Sequence, residues 1–564
     1  MLRQLEFFPV RLQGKSLCKF GFLPTGNCRL TVVLAVKGVF EMSKDWLMQV
    51  TAKDTGVLIA GAGNVVAIHY MPQLTQLYAR SSLPEKFFIL LVSRTSKRED
   101  GSPQTSETIR DDLKHAVQHA QGEEFSEPSW ERFSQRIYYL SADLTKIEQF
   151  PKCIAELARL AEKHGTGGNL IINLAVPTPC YDSIIRNLRE TGLSDGLRES
   201  RLTGASELSL PPGDRIALVE KPIGRDLAEV RRNDALLDEV FPPDSTGRPR
   251  VYRIDHYLFK EMVSGILAVR SANPFLVYNP RNTRRFEAAT TKVHGVEGRL
   301  AYEGEGADMF QHLLLSLAFA AAPEPKNGDA SELWDNIESF LRSCKPADPD
   351  IRKCSIRGRY KAGVIGRKPQ LGYVDEVMAD EKLSDAQKAE RSNLETFAGF
   401  RFKTDMWPDT SFVVYSGKNL PERTSGIWVI SNPVTSRFAR EQVHNQLYFE
   451  LGPDPGMELL ANFKRPGSRL ILTPGSLKLD PTKLEGHPLD GYGMLWNHTF
   501  RGLDYLFPRS GAMEASAELA DPVIQYWRNS GDEGMCDYVA DMWPDKLEET
   551  LGNCSLVDYS KGRE

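Results

Sequence analysis

The sequence predicts two large domains: an α/β domain with a doubly wound parallel sheet, then an α+β domain with a large, mainly antiparallel sheet. Three observations predict this class. The chain of 564 residues is too long for one ordinary core. In the first half, strands that are apolar throughout alternate with helical segments. In the second half, strands follow one another mostly without intervening helices. We therefore expect an extension over residues 1–55, a first domain over 56–252 and a second over 253–564.

The first domain is predicted from a regular series of elements. A strand, a glycine turn and a helix cover 56–71, and a second strand follows at βαβ spacing. The remaining segments are helix-prone regions, further strands and a polar insert: strand 86–96, helical 104–135 and 144–164, strand 169–177, helix 180–191, insert 192–213 and strand 215–222. The last strand is expected to close this series.

The second domain is predicted from strands that lack crossover helices. These strands cover 286–295, 411–420, 426–431 and 445–452, and one long apolar helix covers 307–322. The segment RIDHYLFKE (253–261) lies at the seam between the two domains. Seams of this kind are where small-molecule sites tend to form.

Composition excludes several classes of partner. Hydrophobic residues make up 41% and charged residues 26%, as in soluble globular proteins. A net charge of −5 leaves no basic face for nucleic acid, and no apolar run approaches the ~20 residues of a membrane span. The eight cysteines are scattered without a CxxC pair, so we expect no metal site and no disulfide framework. A cytoplasmic protein is the expectation.

The N-terminal extension is basic with few acids and has no clear secretory signal. Three interpretations fit this composition: a transit segment that would direct the protein to an organelle, an N-terminal tail, or an artefact of the assigned start codon. An unstructured or loosely packed extension is the favoured interpretation.

The turn after the first strand predicts a Rossmann-like nucleotide site. Gly61, Gly63 and Asn64 stand where glycines let a backbone approach a pyrophosphate and where helix N–H groups point at it. A plain tight turn is the alternative. Arg94 follows the second strand with no carboxylate nearby, which favours NADP over NAD; a solvent-exposed arginine without a role is the alternative.

Two long motifs resemble a known family. RIDHYLFKE (253–261) and LVEKPIGRDL (218–227) resemble RIDHYLGKE and EKPFGRDL of the glucose-6-phosphate dehydrogenase family. The resemblance runs in order through most of 56–510 and includes INLAVPTPCYDSI, VEGRLAY, QHLLLSLA and FVVYSGKNLPER. It implies NADP-dependent oxidation of glucose 6-phosphate to 6-phosphogluconolactone, the first step of the oxidative pentose phosphate pathway. It also implies a homo-oligomer, a dimer or a tetramer.

The same resemblance implies roles for individual residues. His312 matches the general base, Asp255 the aspartate that orients it, and Lys221 a lysine between the nicotinamide and the sugar C1 hydroxyl. A histidine suits this proton transfer because its pKa lies near working pH. The residues that match substrate contacts are Lys221, His256, Tyr257, Lys260, Glu297, Asp308 (or Ala307), Lys418 and Arg423. Gly61, Gly63, Asn64, Arg94 and Lys221 match cofactor contacts.

Several departures from the family lie near this site. The glycine loop is one residue short and lacks lysines, and Phe259 replaces a glycine. An arginine has become Tyr415, and a substrate glutamine falls on Gly452. Two alternatives therefore stay open beside an active enzyme. One is a weak or inactive paralogue that acts as a binding or regulatory subunit, and the other is a dehydrogenase with an altered sugar phosphate or cofactor.

Overall fold

A computed structural model of the chain describes residues 51–98, 100–195, 210–221, 223, 227–273, 276, 278–296, 302–326, 329–433, 444–467, 470–484, 489–552 and 554. Most of the predicted extension and the centre of the polar insert therefore lie outside the described residues. Among the helices of these described ranges, none combines the length and the hydropathy of a membrane-spanning segment.

The first half folds into a six-stranded, fully parallel sheet with helices between its strands. Its elements are β1 Thr55–Ala60, a π-helical turn Val65–Tyr70, α1 Met71–Ala79, β2 Phe87–Ser93, α2 Ser106–Gln121, α3 Glu127–Ser134, β3 Ile137–Ser141, α4 Phe150–His164, β4 Leu170–Leu174, α5 Tyr181–Glu190, β5 Arg215–Glu220, α6 Leu227–Val240 and β6 Val251–Ile254. The strand order is β3-β2-β1-β4-β5-β6. This is the order of dinucleotide-binding sheets, and the predicted doubly wound sheet is confirmed.

Two strands of this sheet were not predicted. The edge strand β3 carries tyrosines in place of an aliphatic run, and it pairs with β2. The strand β6 pairs with β5, so β5 does not close the series and the sheet crosses the predicted boundary at 252/253. The four residues of β6 include Arg253, which is buried. Its guanidinium donates to Asp234 at 2.6 Å and Asp238 at 2.7 Å, and both acids lie on α6.

The second half forms a nine-stranded sheet, and the predicted α+β class is confirmed. The elements of this half of the chain are α7 Glu261–Ala272, β7 Thr283–Thr291, α8 Glu305–Ala321, α9 Ala330–Ser343, β8 Cys344–Pro346, β9 Ser355–Gly358, β10 Tyr360–Lys361, β11 Gly363–Ile365, β12 Lys368–Gln370, α10 Tyr373–Ala379, α11 Asp385–Arg391, β13 Phe397–Thr404, β14 Ser411–Gly417, β15 Thr424–Ser431, β16 Gln446–Gly452, β17 Gly456–Lys464, β18 Leu472–Leu479, α12 Gly491–Arg501, α13 Ser510–Asn529, β19 Tyr538–Val539 and α14 Leu547–Leu551. The short strands β10 and β19 pair with each other, and so do β11 and β12, outside the nine-stranded sheet. The order is β18-β17-β16-β15-β7-β14-β13-β8, with β9 also on β13. Only β7 and β14 run parallel to each other in this sheet as described.

The helix α8 holds the second sheet and the site together. It packs on β7, β13 and β14 on one side and on α9 and α13 on the other, so nearly all of its length is buried. A helix that is apolar all round is expected in such a position. Its single histidine, His312, therefore needs a polar partner in the interior.

Candidate active site

Asp255 and His312 form a buried pair where the two domains meet. Asp255 follows β6 directly, and His312 lies in the second turn of α8. His312 Nδ1 and Asp255 Oδ1 are 2.6 Å apart, and the histidine is 6% exposed. An ionised carboxylate only accepts hydrogen bonds, so Nδ1 carries the hydrogen and Nε2 keeps a lone pair. The arrangement leaves Nε2 able to take a proton.

The electrostatics of this pair keep both groups in the form a base needs. Burial tends to raise the pKa of Asp255, but His312 and then Lys221 outweigh it and hold that pKa at about 2. Burial lowers the pKa of His312, and the charge of Asp255 opposes this effect. At neutral pH the pair is therefore carboxylate and neutral imidazole. This is the state that accepts a proton from a hydroxyl.

Lys221 stands beside the pair at the end of β5. Its Nζ donates to the main-chain carbonyl of Asp308 at 3.2 Å, and burial lowers its pKa against the pull of Asp255 and Asp308. Asp255 Oδ2 is buried and accepts no hydrogen bond from the described residues. The site thus combines a base, an acceptor oxygen and a lysine within one small volume.

His256 and Tyr257 surround the base with rings. The Tyr257 ring stacks on His312 at 4.8 Å, and the His256 ring meets His312 edge-on at 4.8 Å. On its other face His256 stacks on Tyr492, which in turn stacks on His69. Burial, reinforced by His312, holds the pKa of His256 well below its ordinary value. His256 is therefore neutral near pH 7, so the substrate contact that the resemblance implies for it would be made by an uncharged ring.

Lys260 lies beside the second sheet, next to the hydroxyl group of Ser425 on β15. Its Nζ donates to Ser425 Oγ at 3.2 Å and lies 3.9 Å from the centre of the Tyr257 ring. Burial lowers the pKa of Lys260 to about 8, and the positive charges of Lys292 and Arg423 add to the effect. Arg423 itself is exposed. Lys260, Lys292 and Arg423 thus lie within electrostatic reach of one another; the resemblance implied substrate contacts for Lys260 and Arg423 separately and did not point to Lys292.

Lys418 points into the interior of the second domain. It is 1% exposed, and its Nζ forms an ion pair with Glu305 Oε2. Glu305 also accepts from Ser416 Oγ at 2.5 Å. The Lys418 ammonium is thus engaged by a carboxylate in the interior, and a substrate role for Lys418 stays a prediction. Acidic residues are common at helix starts, so nothing in the sequence singled out Glu305.

The other predicted substrate residues have mixed outcomes. Asp308 lies in the first turn of α8, half-buried, within electrostatic reach of Lys221. Ala307 precedes it. Glu297 lies outside the described residues. Tyr415 lies in the apolar core of the second sheet.

Phe259 does not enter the site. Its ring is fully buried and packs edge-on against Phe507 at 4.8 Å and His498 at 6.1 Å. The departure from glycine is therefore accommodated behind the RIDHYLFKE loop. Crowding by Phe259, which favoured an inactive paralogue, is absent from the structure.

The glycine turn fits a dinucleotide. Gly61 has a φ of +116°, and a Cβ there would lie 2.2 Å from the carbonyl oxygen of Ala175. A Cβ on Gly63 would meet nothing within 4 Å, so the turn borders open space at the start of the helix. Arg94 is exposed just beyond β2, the strand that pairs with β1. A backbone free of side chains, next to an arginine, suits a phosphate-bearing cofactor.

Fold and site together define an oxidoreductase with a nicotinamide dinucleotide-binding domain and a second, sheet-based domain. Residues 57–265 match the family model for the NAD-binding domain of glucose-6-phosphate dehydrogenase, and residues 267–555 match the model for its C-terminal domain. The chain belongs to the glucose-6-phosphate dehydrogenase family.

Individual relatives agree with this family. The chain is 28% identical to a glucose-6-phosphate 1-dehydrogenase of Treponema pallidum over 515 residues, 88% of this chain and 92% of that one. It is 27% identical to glucose-6-phosphate 1-dehydrogenase 2 of Mycobacterium tuberculosis over 84% of this chain and 89% of that one. A solved glucose-6-phosphate dehydrogenase in complex with its substrate glucose-6-phosphate shares the fold, with a TM-score of 0.74 and 23% identity over 89% of this chain and 97% of that one.

Proposed function

We propose that the protein oxidises glucose 6-phosphate to 6-phosphogluconolactone with NADP⁺, with His312 as the general base. The observation that carries the proposal is the buried 2.6 Å contact between His312 and Asp255, beside Lys221. The membership of this chain in the glucose-6-phosphate dehydrogenase family supports the same reaction. An assay of NADPH formation by the purified chain with glucose 6-phosphate and NADP⁺ tests it. No turnover by a folded protein would contradict it.

The chain's own residues have distinct tasks in this reaction. His312 Nε2 takes the proton of the C1 hydroxyl while C1 becomes the lactone carbonyl. Asp255 holds the imidazole in the required tautomer and stabilises the imidazolium that forms. The nicotinamide, when bound, supplies the acceptor for the hydride that leaves C1. Lys221 lies between the two domains at the point where the hydroxyl and the cofactor would meet.

The remaining residues bind and orient. Lys260 and Arg423 supply positive charge for the substrate phosphate, and Tyr257 and His256 wall the site around the base. The remaining contacts with the sugar are assigned to Asp308, Glu297 and Lys418. The open turn at Gly61, Gly63 and Asn64 would hold the cofactor phosphates. The intact base favours this enzyme over an inactive paralogue.

Arg94 decides the choice between the two nicotinamide cofactors in this proposal. Replacing Arg94 with alanine should raise the dissociation constant of NADP⁺ by about 10-fold or more, because a charge-assisted contact with the 2′-phosphate is lost. NAD⁺ should be affected little, since it lacks that phosphate. Titration of both cofactors against the wild type and Arg94→Ala measures the ratio, with Arg98→Ala as a nearby control. Equal losses for both cofactors would remove the 2′-phosphate role.

We also propose a homo-oligomer, a dimer or a tetramer, assembled through the outer strands of the large sheet. Phe463 on β17 and Leu477 and Leu479 on β18 share one face by register and are exposed, Leu477 by 58%. An apolar face of this kind marks an interface. Leu477→Lys should shift the mass in solution, measured by light scattering, toward the monomer. Leu371→Lys, at another exposed leucine, should not. A monomeric wild type would refute the proposal.

A further inference from the structure

We infer that Tyr70 is a positioning residue for Lys221, which it holds in place through the carboxyl group of Glu220. The inference rests on the proposed function, because it takes Lys221 to be the lysine beside the reacting hydroxyl. It goes beyond that function because the motifs implied no role for Tyr70 or for Glu220. The tertiary structure alone joins the two residues.

A chain of two hydrogen bonds links Tyr70 to Lys221. The hydroxyl of Tyr70 donates to Glu220 Oε1, and the carboxyl group of Glu220 also accepts from the main-chain N–H of Lys221. Burial, and then the charge of Glu220, hold the pKa of Tyr70 well above its ordinary value, so the hydroxyl keeps its proton and donates. Tyr70 therefore reaches the main chain of Lys221 through a single side chain.

The carboxyl group of Glu220 needs the hydrogen bond from Tyr70. Burial raises the pKa of Glu220 to about 7; the hydrogen bond from Tyr70 opposes this rise, and the charge of Asp255 adds to it. A carboxyl group accepts hydrogen bonds in both protonation states, so the contact persists through neutral pH. An acceptor that loses its donor away from water is costly. Without the hydroxyl, we expect Glu220 to move, and the main chain of Lys221 with it.

Two further side chains fix the same segment from the side of the parallel sheet. The hydroxyl of Tyr181, on α5, donates to the main-chain carbonyl of Glu220 at 3.0 Å. Asn173, on β4, donates to the hydroxyl of Tyr70 and to the carbonyl of Leu218, each at 3.4 Å. Both Tyr70 and Asn173 are fully buried. The end of β5 is thus held from β4, from α5 and from the π-helical turn.

The ring of Tyr70 is packed against the second half of the chain. Trp496, on α12, meets it edge-on at 5.3 Å, and Tyr492, near the start of the same helix, lies against it at 5.7 Å. Tyr70 itself ends the π-helical turn that follows the glycine turn. One tyrosine therefore contacts the helix of the predicted cofactor turn, the segment before Lys221 and α12. Packing of this kind is what holds a site group in a productive geometry.

The far end of Lys221 shows what this support achieves. Its Nζ donates to the main-chain carbonyl of Asp308 on α8 at 3.2 Å, so the side chain runs from β5 to α8. The position of the ammonium group depends on where the main chain is anchored. A displacement of about 1 Å in a catalytic site can cost roughly 10²-fold in rate. We therefore expect Tyr70 to affect turnover and not the affinity for the sugar phosphate, whose contacts are assigned to Lys260 and Arg423.

Steady-state kinetics of matched variants test the inference. Tyr70→Phe removes only the hydroxyl and should lower turnover with glucose 6-phosphate and NADP⁺ about 10-fold or more, with little change in the KM for the sugar phosphate. Glu220→Met should have the same effect. Glu220→Gln keeps an acceptor oxygen and should retain most of the turnover. Tyr78→Phe, at a half-buried tyrosine on α1, should match the wild type.

The double variant Tyr70→Phe/Glu220→Met separates this role from a general loss of packing. Both residues act on Lys221 through one contact, so the double variant should be no slower than Glu220→Met alone. Losses that multiply would show that the two residues act independently and would overturn the inference. Wild-type turnover in Tyr70→Phe would overturn it as well.

A readout without turnover separates the inference from the proposed function. Burial lowers the pKa of Lys221, and the pH dependence of its acetylation in the ligand-free chain, followed by mass spectrometry, measures that pKa. In Tyr70→Phe the pKa should rise toward the ordinary value for lysine, because a displaced ammonium group reaches more water. Tyr78→Phe should leave it unchanged.

The outcomes of this labelling are distinct. If the pKa of Lys221 rises in Tyr70→Phe while the wild type oxidises no glucose 6-phosphate, the positioning role stands and the proposed function fails. An unchanged pKa of Lys221 in Tyr70→Phe would contradict the inference, whatever the wild type turns over.

Discussion

Replacing His312 with alanine should lower turnover of glucose 6-phosphate by about 10²-fold or more, with little change in the KM for the sugar phosphate. The reason is that in the proposed mechanism His312 Nε2 takes the hydroxyl proton, whereas the phosphate contacts are assigned to Lys260 and Arg423. Steady-state assays of the wild type and the variant measure the ratio. His119→Ala, at an exposed histidine on α2, should match the wild type.

The pH profile checks that the lost activity belongs to the base. Burial lowers the pKa of His312, so the neutral, active imidazole persists below the ordinary value of about 6.5. The rate should fall only when the pH drops through this lowered pKa. Asp255→Asn removes the charge that opposes the shift, so the acid limb should move to still lower pH while turnover falls. A melting curve like that of the wild type shows that His312→Ala is folded, and undiminished turnover would remove the base assignment.

Replacing Glu305 with leucine should destabilise the second domain by about 3–5 kcal/mol. The ammonium group of Lys418 is 1% exposed and forms its ion pair with Glu305, so the substitution leaves a buried charge without that carboxylate. The cost is that of desolvating an uncompensated cation. Urea denaturation of the wild type and the variant measures the loss.

The double variant Glu305→Leu/Lys418→Met separates the ion pair from simple loss of packing. Removing both charges with apolar side chains of similar size should restore most of the stability. If the double variant is as unstable as Glu305→Leu, the loss of stability does not come from the unpaired ammonium group of Lys418. An unchanged midpoint in Glu305→Leu alone would show that Lys418 finds another partner or reaches solvent.

The strands that sequence patterns missed have a physical explanation. The edge strand β3 has the sequence Ile-Tyr-Tyr-Leu-Ser, which lacks an aliphatic run. The hydroxyl groups of its two tyrosines form hydrogen bonds with Ser93 and His164. The strand β6 is short and includes a charged Arg253. That charge is tolerated only because α6 brings Asp234 and Asp238 against it. Both strands depend on partners that lie outside their own sequence windows.

The departures from the family were harder to judge from the sequence than its motifs. Phe259 suggested a crowded site, but the tertiary structure turns its ring toward Phe507 and His498. Lys418 suggested a substrate contact, but Glu305 holds its ammonium in the interior. In both cases the surroundings of the side chain depend on residues far away in the chain, and the substrate role of Lys418 stays a prediction.

The sequence by itself determined the two sheet classes, the glycine turn and the residues of the predicted base, because these are encoded in local periodicity and in short motifs. Only the tertiary structure decided that Glu305 takes the buried ammonium group of Lys418 in an ion pair. It also decided that His256 is buried enough to be neutral and that Asp255 meets His312 across 57 positions of chain. The physical reason is that strand register and burial depend on residues far apart in sequence, and these determine where a side chain points and whether it carries charge.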